Sequence, residues 1–239
     1  MDFSKQWAKW MTRKSGRRAG LASNVPCSAC VETVESRTVP STTSLFNAGA
    51  LTITSNGADN MTVSANAGGN VTLNGTQLTV NSAPVVASSV TSLDIEGGKG
   101  KNTIDLSGVT STSFTALTTV KINGGAGNDN ITGSGLNDSI VGGSGNDVIK
   151  GGAGNDSLNG GTGNDVLNGE AGDDVLNGGV GDDSLNGGAG NDSLSGGIGK
   201  DSLDGGVGVD SLNGGAGADT ISKGTDNDVI AHDKHDTLI

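Results

Sequence analysis

The sequence predicts an all-β chain whose C-terminal half is a β-solenoid, in which short strands stack coil upon coil. Three observations predict this fold. From Gly124 to Ala231 the chain repeats a nine-residue unit twelve times without insertion or deletion. The eighth residue of every unit is Leu or Ile. The chain also has 43 Gly but only three Phe, two Trp and no Tyr, so large side chains are too few for an ordinary globular core.

The unit reads Gly-Gly-x-Gly-(Asn/Asp)-Asp-x-(Leu/Ile)-x, and its residues are numbered here as positions one to nine. Glycines at positions one, two and four allow a crowded turn and leave its carbonyl oxygens unshielded. The aliphatic residue at position eight lies between mostly polar neighbours, which predicts a strand of about three residues with one inward side chain. Each unit therefore predicts one glycine-rich turn followed by one short strand.

The unit resembles the calcium-binding repeats of the bacterial repeats-in-toxin (RTX, hemolysin-type) family. The resemblance covers residues 124–231 and, weakly, 97–105 and 232–239. It implies a parallel β-roll, a right-handed solenoid in which six residues turn, three form a strand and two units complete one coil. It also implies that the bound ion is Ca²⁺ and that the protein is secreted or displayed at the cell surface.

With eighteen residues per coil, equivalent carboxylates stack about 4.8 Å apart, so Asp129 should lie over Asp147, and so on up to Asp210 over Asp228. Carboxylates at that spacing repel unless a cation lies between them. Two carboxylates with turn carbonyls form an oxygen-only ligand set, which favours Ca²⁺ over Mg²⁺ in a flexible loop. The candidate metal ligands are the position-six residues Asp129, Asp138, Asp147, Asp156, Asp165, Asp174, Asp183, Asp192, Asp201, Asp210, Asp219 and Asp228.

Several units depart from the pattern, three of them at glycines that shape the turn. Leu136 and Asp226 replace the glycine at position four, and Glu170 replaces the glycine at position two. Leu adopts a left-handed backbone only at high cost, whereas Asp does so more readily. The sites of Asp138 and Asp228 are therefore the weakest candidates, and the run from Asp147 to Asp219 is the strongest.

Residues 46–123 predict an irregular, β-rich cap on the first coil, since solenoids need covered ends. Apolar and hydroxylated residues alternate there in 51–54, 61–63, 70–73 and 77–80, which is typical of strands. Residues 97–105 are a degenerate unit with Asn102 at position six, and a second β run is predicted from Phe114 to Ile122. Residues 232–239 predict a shortened closing unit with Asp236 at position six.

Residues 1–45 predict a basic leader, either disordered or containing a short amphipathic helix at a membrane surface. The helix would place Phe3, Trp7, Trp10 and Met11 on one face. Cys27 and Cys30 lack further zinc ligands nearby, so a local disulfide or two idle thiols is expected.

Charge and motifs limit the possible functions. The net charge is −12, and residues 124–239 hold nineteen acids against four Lys, so nucleic acid and anionic membranes are repelled and cations are attracted. The chain has no run of eighteen apolar residues and is not expected to span a membrane. It has no His-Glu-x-x-His motif and no plausible Ser-His pair, so an enzyme is not expected.

The leading hypothesis is a calcium-binding secreted or cell-surface protein whose array folds on binding Ca²⁺ outside the cell. One aliphatic residue per nine gives the array little apolar burial against the entropy of ordering a glycine-rich chain. A calcium-dependent carbohydrate- or matrix-binding module, or an adhesin, stays open as the alternative, with a ladder of outward Asn as its candidate surface: Asn159, Asn168, Asn177 and Asn186. An ice-binding surface would need a Thr ladder, but only Thr162 and Thr225 occupy position three.

Overall fold

The computed structural model describes residues 33–34, 42–74, 76–80, 83–222 and 226–239. Apart from one 3₁₀ turn at Ala87–Ser89, the regular structure of these residues is entirely β. The predicted leader helix and both cysteines lie outside the described residues. Among the described residues, no helix is long and apolar enough to cross a bilayer.

In the described ranges, eight strands precede the 3₁₀ turn: β1 Thr33–Val34, β2 Thr42–Asn47, β3 Ala50–Ser55, β4 Asn60–Ala65, β5 Val71–Leu73, β6 Thr76–Gln77, β7 Thr79–Val80 and β8 Ala83–Pro84. Sixteen follow it: β9 Ser92–Lys99, β10 Thr103–Gly108, β11 Thr119–Ala126, β12 Asn130–Thr132, β13 Asp138–Ser144, β14 Val148–Ala153, β15 Ser157–Thr162, β16 Val166–Ala171, β17 Val175–Val180, β18 Ser184–Ala189, β19 Ser193–Gly199, β20 Ser202–Val207, β21 Ser211–Gly217, β22 Thr220–Ser222, β23 Val229–Ala231 and β24 Thr237–Leu238.

Successive strands of the array alternate between two sheets. The first sheet has the order β1, β2, β3, β9, β11, β13, β15, β17, β19, β21, β23. The second has the order β6, β5, β4, β10, β12, β14, β16, β18, β20, β22, β24. From β9 onward every pairing in these two sheets is parallel, so the chain is a parallel β-solenoid as predicted.

The strand register confirms two units per coil. Leu158 pairs with Leu176 in the first sheet, and Leu167 pairs with Leu185 in the second. The aliphatic side chains at position eight are buried from Ile131 to Ile221 and form the core between the sheets. Because each coil contributes only two of them, the core of the array is narrow.

The array strands are longer than predicted. Typical strands such as β14 and β15 have six residues, running from position seven of one unit to position three of the next, so the expected three-residue strand was wrong. Glycines at positions one and two continue the strand, and the pairing extends to position three, as in Gly161 with Gly179 and Thr162 with Val180. Only positions four to six form the turn, and position one faces inward beside position eight.

The cap contains the predicted strands, but one of them starts later than predicted. β3, β4 and β5 fall on predicted strands, while the predicted run at 77–80 is divided between β6 and β7. The run predicted from Phe114 starts only at Thr119, because main-chain bonds from Ser113 and Phe114 to Thr110 close a turn that buries Phe114. At the other end β24 pairs with β22, which confirms the closing unit.

Candidate metal centre

The position-six aspartates lie inside the roll, where the turn enters the next strand. From Asp129 to Asp219 all eleven are at most 3% exposed, and Asp228 is half-buried. Ionised carboxylates are rarely this buried without a partner. Their burial therefore requires a compensating charge, proton or hydrogen bond.

One carboxylate oxygen of every position-six aspartate except Asp138 is hydrogen-bonded along the stack. The main-chain N–H of Asp129 donates to Oδ1 of Asp147, one coil further on, at 2.7 Å. The same bond recurs in ten pairs, up to Asp210 and Asp228, with distances of 2.7–3.0 Å. The predicted stacking of equivalent aspartates is thus confirmed, and a main-chain donor fixes each side chain in the same orientation.

The other oxygen, Oδ2, has no hydrogen-bond partner in ten of these residues although it is buried. They are Asp129, Asp147, Asp156, Asp165, Asp174, Asp183, Asp192, Asp201, Asp210 and Asp219. A buried carboxylate oxygen without a donor costs at least about 1–3 kcal/mol. Ten such oxygens in register mark one repeated site that lacks a positively charged or proton-donating partner.

The glycine at position one adds a second oxygen to each site. A Cβ built on Gly151 would lie 2.3 Å from Oδ2 of Asp156 and 2.8 Å from the carbonyl oxygen of Gly169 in the next coil. The equivalent distances at Gly160 are 2.4 Å and 2.7 Å. At eight of the ten sites the free Oδ2 and a carbonyl oxygen of the next coil therefore converge over a glycine that leaves them uncovered. Two acceptors facing each other repel unless a cation or a donor lies between them.

Burial also changes the acidity of these groups. Desolvation raises the pKa of Asp156 to about 7 and those of Asp147 and Asp192 to about 6, against an ordinary 3.8. The main-chain N–H bond to each side chain lowers the pKa, and neighbouring carboxylates raise it further. The pKa values of Asp165 and Asp183 are raised for the same leading reason. Burial in the roll thus disfavours the negative charges that a divalent cation would stabilise.

Side chains alone do not complete a metal site. In the described part of the chain, no three His, Cys, Asp or Glu side chains come together where they could hold a metal ion. A site at these turns must therefore draw on main-chain carbonyls. Carboxylate and carbonyl oxygens suit Ca²⁺, which accepts six to eight oxygen ligands in a flexible geometry. The donor set fits calcium, and the sharing of each ion by two stacked carboxylates stays a prediction.

Asn102 occupies position six in the degenerate unit and shows what the site attracts. Its Oδ1 accepts the N–H of Asp59 at 3.0 Å, as an array aspartate would. Its Nδ2 replaces the free oxygen and donates to the carbonyl oxygens of Gly100 at 2.8 Å and Gly124 at 3.3 Å. Gly124 is the position-one glycine of the next coil. Where the chain places an N–H₂ group instead of an oxygen, the surrounding carbonyls receive a donor.

Asp138 differs from the other buried aspartates. Both of its oxygens accept hydrogen bonds from Ser134, Oδ2 from the main-chain N–H and Oδ1 from the hydroxyl. Leu136 in the same turn does not adopt a positive φ, and its side chain packs against the core, partly buried. This turn has therefore abandoned the glycine geometry. Asp228, the other weak candidate, is only half-buried and closes its ladder at the last full unit.

Glu170 keeps the standard turn at a cost. Its φ is +74°, a left-handed value that glycine adopts freely and other residues do not. Its side chain is exposed, with one oxygen 3.9 Å from Nζ of Lys150. Asp174 of the same unit remains buried with a free Oδ2, so the substitution leaves the site intact.

A second ladder at position five was missed by the sequence analysis. The N–H of Asn146 donates to Oδ1 of Asn128 one coil earlier, at 3.0 Å, and Asp182 donates to Asn164 in the same way. Because only an Oδ1 acceptor is used, Asn and Asp are interchangeable there. That interchange in the sequence was the available signal. The ladder stops at Lys200 and Val209, which donate but offer no acceptor.

Fold and site together define a calcium-binding β-solenoid. The family model for the RTX calcium-binding nonapeptide repeat matches four times, at residues 121–140, 132–167, 159–194 and 195–230. Residues 121–230 thus belong to the RTX calcium-binding repeat family, and Ca²⁺ is the ion that such repeats bind. No curated protein gives a significant match to the chain.

Proposed function

We propose that this is a secreted or cell-surface protein whose array folds when Ca²⁺ binds at its turns, and that it is not an enzyme. The observation that carries the proposal is the row of ten buried Oδ2 atoms without partners. In the absence of a cation eight of them converge with a carbonyl oxygen of the next coil, and the narrow core offers little to offset that repulsion. The position-six aspartates are assigned as the ligands, with Asp138 as the exception.

The cellular location follows from calcium availability. Sites of extracellular modules typically have dissociation constants of about 10⁻⁴–10⁻³ M. Cytosolic calcium would leave such an array unfolded, whereas calcium outside the cell would fill it. Ion binding would then act as a folding switch that responds to export. The family membership of residues 121–230 supports this proposal, since RTX proteins are typically secreted.

The test is circular dichroism of the full chain during calcium titration. We expect a cooperative gain of β signal as calcium rises from excess chelator to millimolar concentration, with Mg²⁺ much less effective. An identical β spectrum in chelator and in calcium would contradict the proposal.

A second function, binding of an uncharged polysaccharide, is favoured by one surface. On the first sheet from β13 to β23 every exposed residue is uncharged, in an array that is otherwise strongly acidic. Ser, Asn and Val dominate that surface, and Asn159 and Asn177 are paired neighbours on it. The second sheet carries Lys150, Glu170 and Asp204 on its outer face. A flat neutral surface of hydroxyl and amide groups is suited to a neutral, hydroxyl-rich polymer.

Cosedimentation with insoluble cellulose and chitin, in calcium and in chelator, tests this second function. We expect Asn177→Lys on the first sheet to abolish calcium-dependent binding, and the matched Asn186→Lys, at an equally exposed position of the second sheet, to leave it unchanged. Equal behaviour of the two variants, or no binding of the wild type, would remove this surface as a glycan site.

A further inference from the structure

The N-terminal cap contains position-six sites that are closed without a metal ion. Asp59 lies one coil before Asn102 in the same ladder, since its N–H donates to Oδ1 of Asn102. Oδ2 of Asp59 accepts a hydrogen bond from the hydroxyl of Ser55. Ser55 immediately follows a residue paired with Glu96, where the degenerate unit has Gly97 at position one. A hydroxyl therefore reaches the oxygen that a glycine leaves free in the array.

The next site toward the array, that of Asn102, is closed by another donor, and one site within the array, that of Asp138, is closed in a similar way. The Asn102 amide donates to two glycine carbonyls, and its own N–H donates to Oδ1 of Asp129 at 2.7 Å. Ser134 donates to both oxygens of Asp138. Among the described residues, the free buried Oδ2 atoms belong only to units from Asp129 onward. Two different side chains, Ser55 and Asn102, thus supply a proton donor at the cap sites, whereas ten array sites have none.

The cap also has the larger apolar core. Thirty apolar residues are buried in the described part of the chain, nineteen of them between Leu51 and Ile122 and eleven between Ile131 and Ile221. The first group comes from a shorter stretch of chain and includes Phe114 and Met61. Burial is the main favourable contribution to folding. The cap therefore has both the apolar burial and the satisfied polar groups that the array lacks.

We infer that the cap, residues 42–123, is a calcium-independent template on which the array folds as calcium binds. β11 and β10 present the parallel edges on which β13 and β12 form, so the first array coil pairs with strands that are already folded before calcium binds. Coils are then added from the cap toward the C terminus. The inference rests on the proposed calcium-driven folding, whose failure the same experiment distinguishes.

Hydrogen exchange of the full chain, followed by mass spectrometry in chelator and in calcium, tests the template. In chelator we expect exchange to be slowed at least tenfold in peptides covering 60–65 and 92–108. Peptides covering 157–217 should exchange as fast as an unfolded chain. At intermediate calcium, 139–162 should become protected before 193–217. If cap and array both exchange freely in chelator, the template is overturned while calcium-driven folding stands. If both are protected in chelator, calcium-driven folding itself is overturned.

Asn102→Asp tests the donor directly, with Asn60→Asp as the matched control that adds the same charge at an exposed cap position. In N102D a carboxylate oxygen meets the carbonyls of Gly100 and Gly124 as in the array. We expect cap protection in chelator to fall at least tenfold and to return in calcium. N60D should behave as the wild type. If N102D matches N60D in chelator, or does not recover in calcium, the amide is not a substitute for the ion.

Discussion

Asp192→Asn should have opposite effects with and without calcium. The side chain is 2% exposed, its Oδ1 accepts the N–H of Asp174 at 2.8 Å, and its Oδ2 has no partner. Asparagine keeps the Oδ1 acceptor and replaces the free oxygen with an N–H₂ group. That group would face the carbonyl of Gly205, which is 2.5 Å from the Cβ position of Gly187. The variant therefore converts an array site into the arrangement of Asn102.

The magnitude follows from the acidity of the carboxyl group. Desolvation raises the pKa of Asp192 from 3.8 to about 6, and two pKa units correspond to about 3 kcal/mol. At pH 8 without calcium, removal of this charge should favour the folded roll by up to that amount, or roughly a hundredfold in the folding equilibrium. In calcium the variant loses a charged ligand, so it should bind fewer ions and unfold at lower urea than the wild type.

The assay is circular dichroism at pH 8 during a titration with trimethylamine N-oxide in excess chelator, since this osmolyte favours compact states. Asp182→Asn is the matched control. It removes one exposed charge and keeps the acceptor for the N–H of Lys200, so its effect should stay below about 0.5 kcal/mol. The reasoning is refuted if D192N needs as much osmolyte as the wild type in chelator, or keeps its full complement of ions in calcium.

Three further predictions follow from the same geometry. Gly160→Ala places a Cβ 2.4 Å from Oδ2 of Asp165 and 2.7 Å from the Gly178 carbonyl oxygen. Urea unfolding in calcium should show that the free energy of unfolding falls by about 1–3 kcal/mol. The control Asn159→Ala, at an outward-facing position, should change it little. Glu170→Gly removes a non-glycine residue with a left-handed backbone and should raise the free energy of unfolding in the same assay by about 1 kcal/mol. Lys150→Ala should leave that free energy nearly unchanged, because the exposed ion pair contributes little. A loss of stability in E170G would contradict the claim that the backbone of Glu170 is strained. Burial raises the pKa of Asp147 and Asp201 to about 6 and that of Asp156 to about 7 in the folded state, so the metal-free roll binds more protons than the unfolded chain. The stability that protonation gives the metal-free roll is greatest near pH 4 and is lost as the pH rises through 6–7. Lowering the pH from 8 to 5 should therefore increase the β signal in chelator and weaken calcium binding. Spectra and calcium affinities that do not change with pH would contradict the burial of these carboxylates.

Much of the array could be predicted because its nine-residue period fixes both the strand register and which side chains point inward. A unit of nine with Leu or Ile at position eight determines which side chains point inward, and Asp at position six then stacks on its equivalent in the next coil. The extension of each strand through Gly160 and Gly161 could not be predicted, because glycine gives no periodic pattern from which a strand is inferred. The six-residue strands arise from pairing with neighbouring coils.

The cap was less predictable because its pairing depends on contacts between residues far apart in the chain. Asp59 occupies position six one coil before Asn102. One residue fewer separates it from position one than in a standard unit, so the nine-residue period does not reveal this site. Phe114 lies in an apolar run that resembles a strand, but the chain turns there to bury its ring. The weakness of Asp138 was predictable from Leu136, whereas the compensating bonds from Ser134 were not.

The central claim is that calcium lies beside the free Oδ2 atoms, and a crystal structure of the full chain grown in calcium tests it most directly. Anomalous density should be found at the turns of the ten aspartates with a free Oδ2, and none beside Asn102 or Asp138. A roll with the same backbone whose ten turns contain no ion, with Oδ2 bonded only to water or to main-chain N–H groups, would contradict the account.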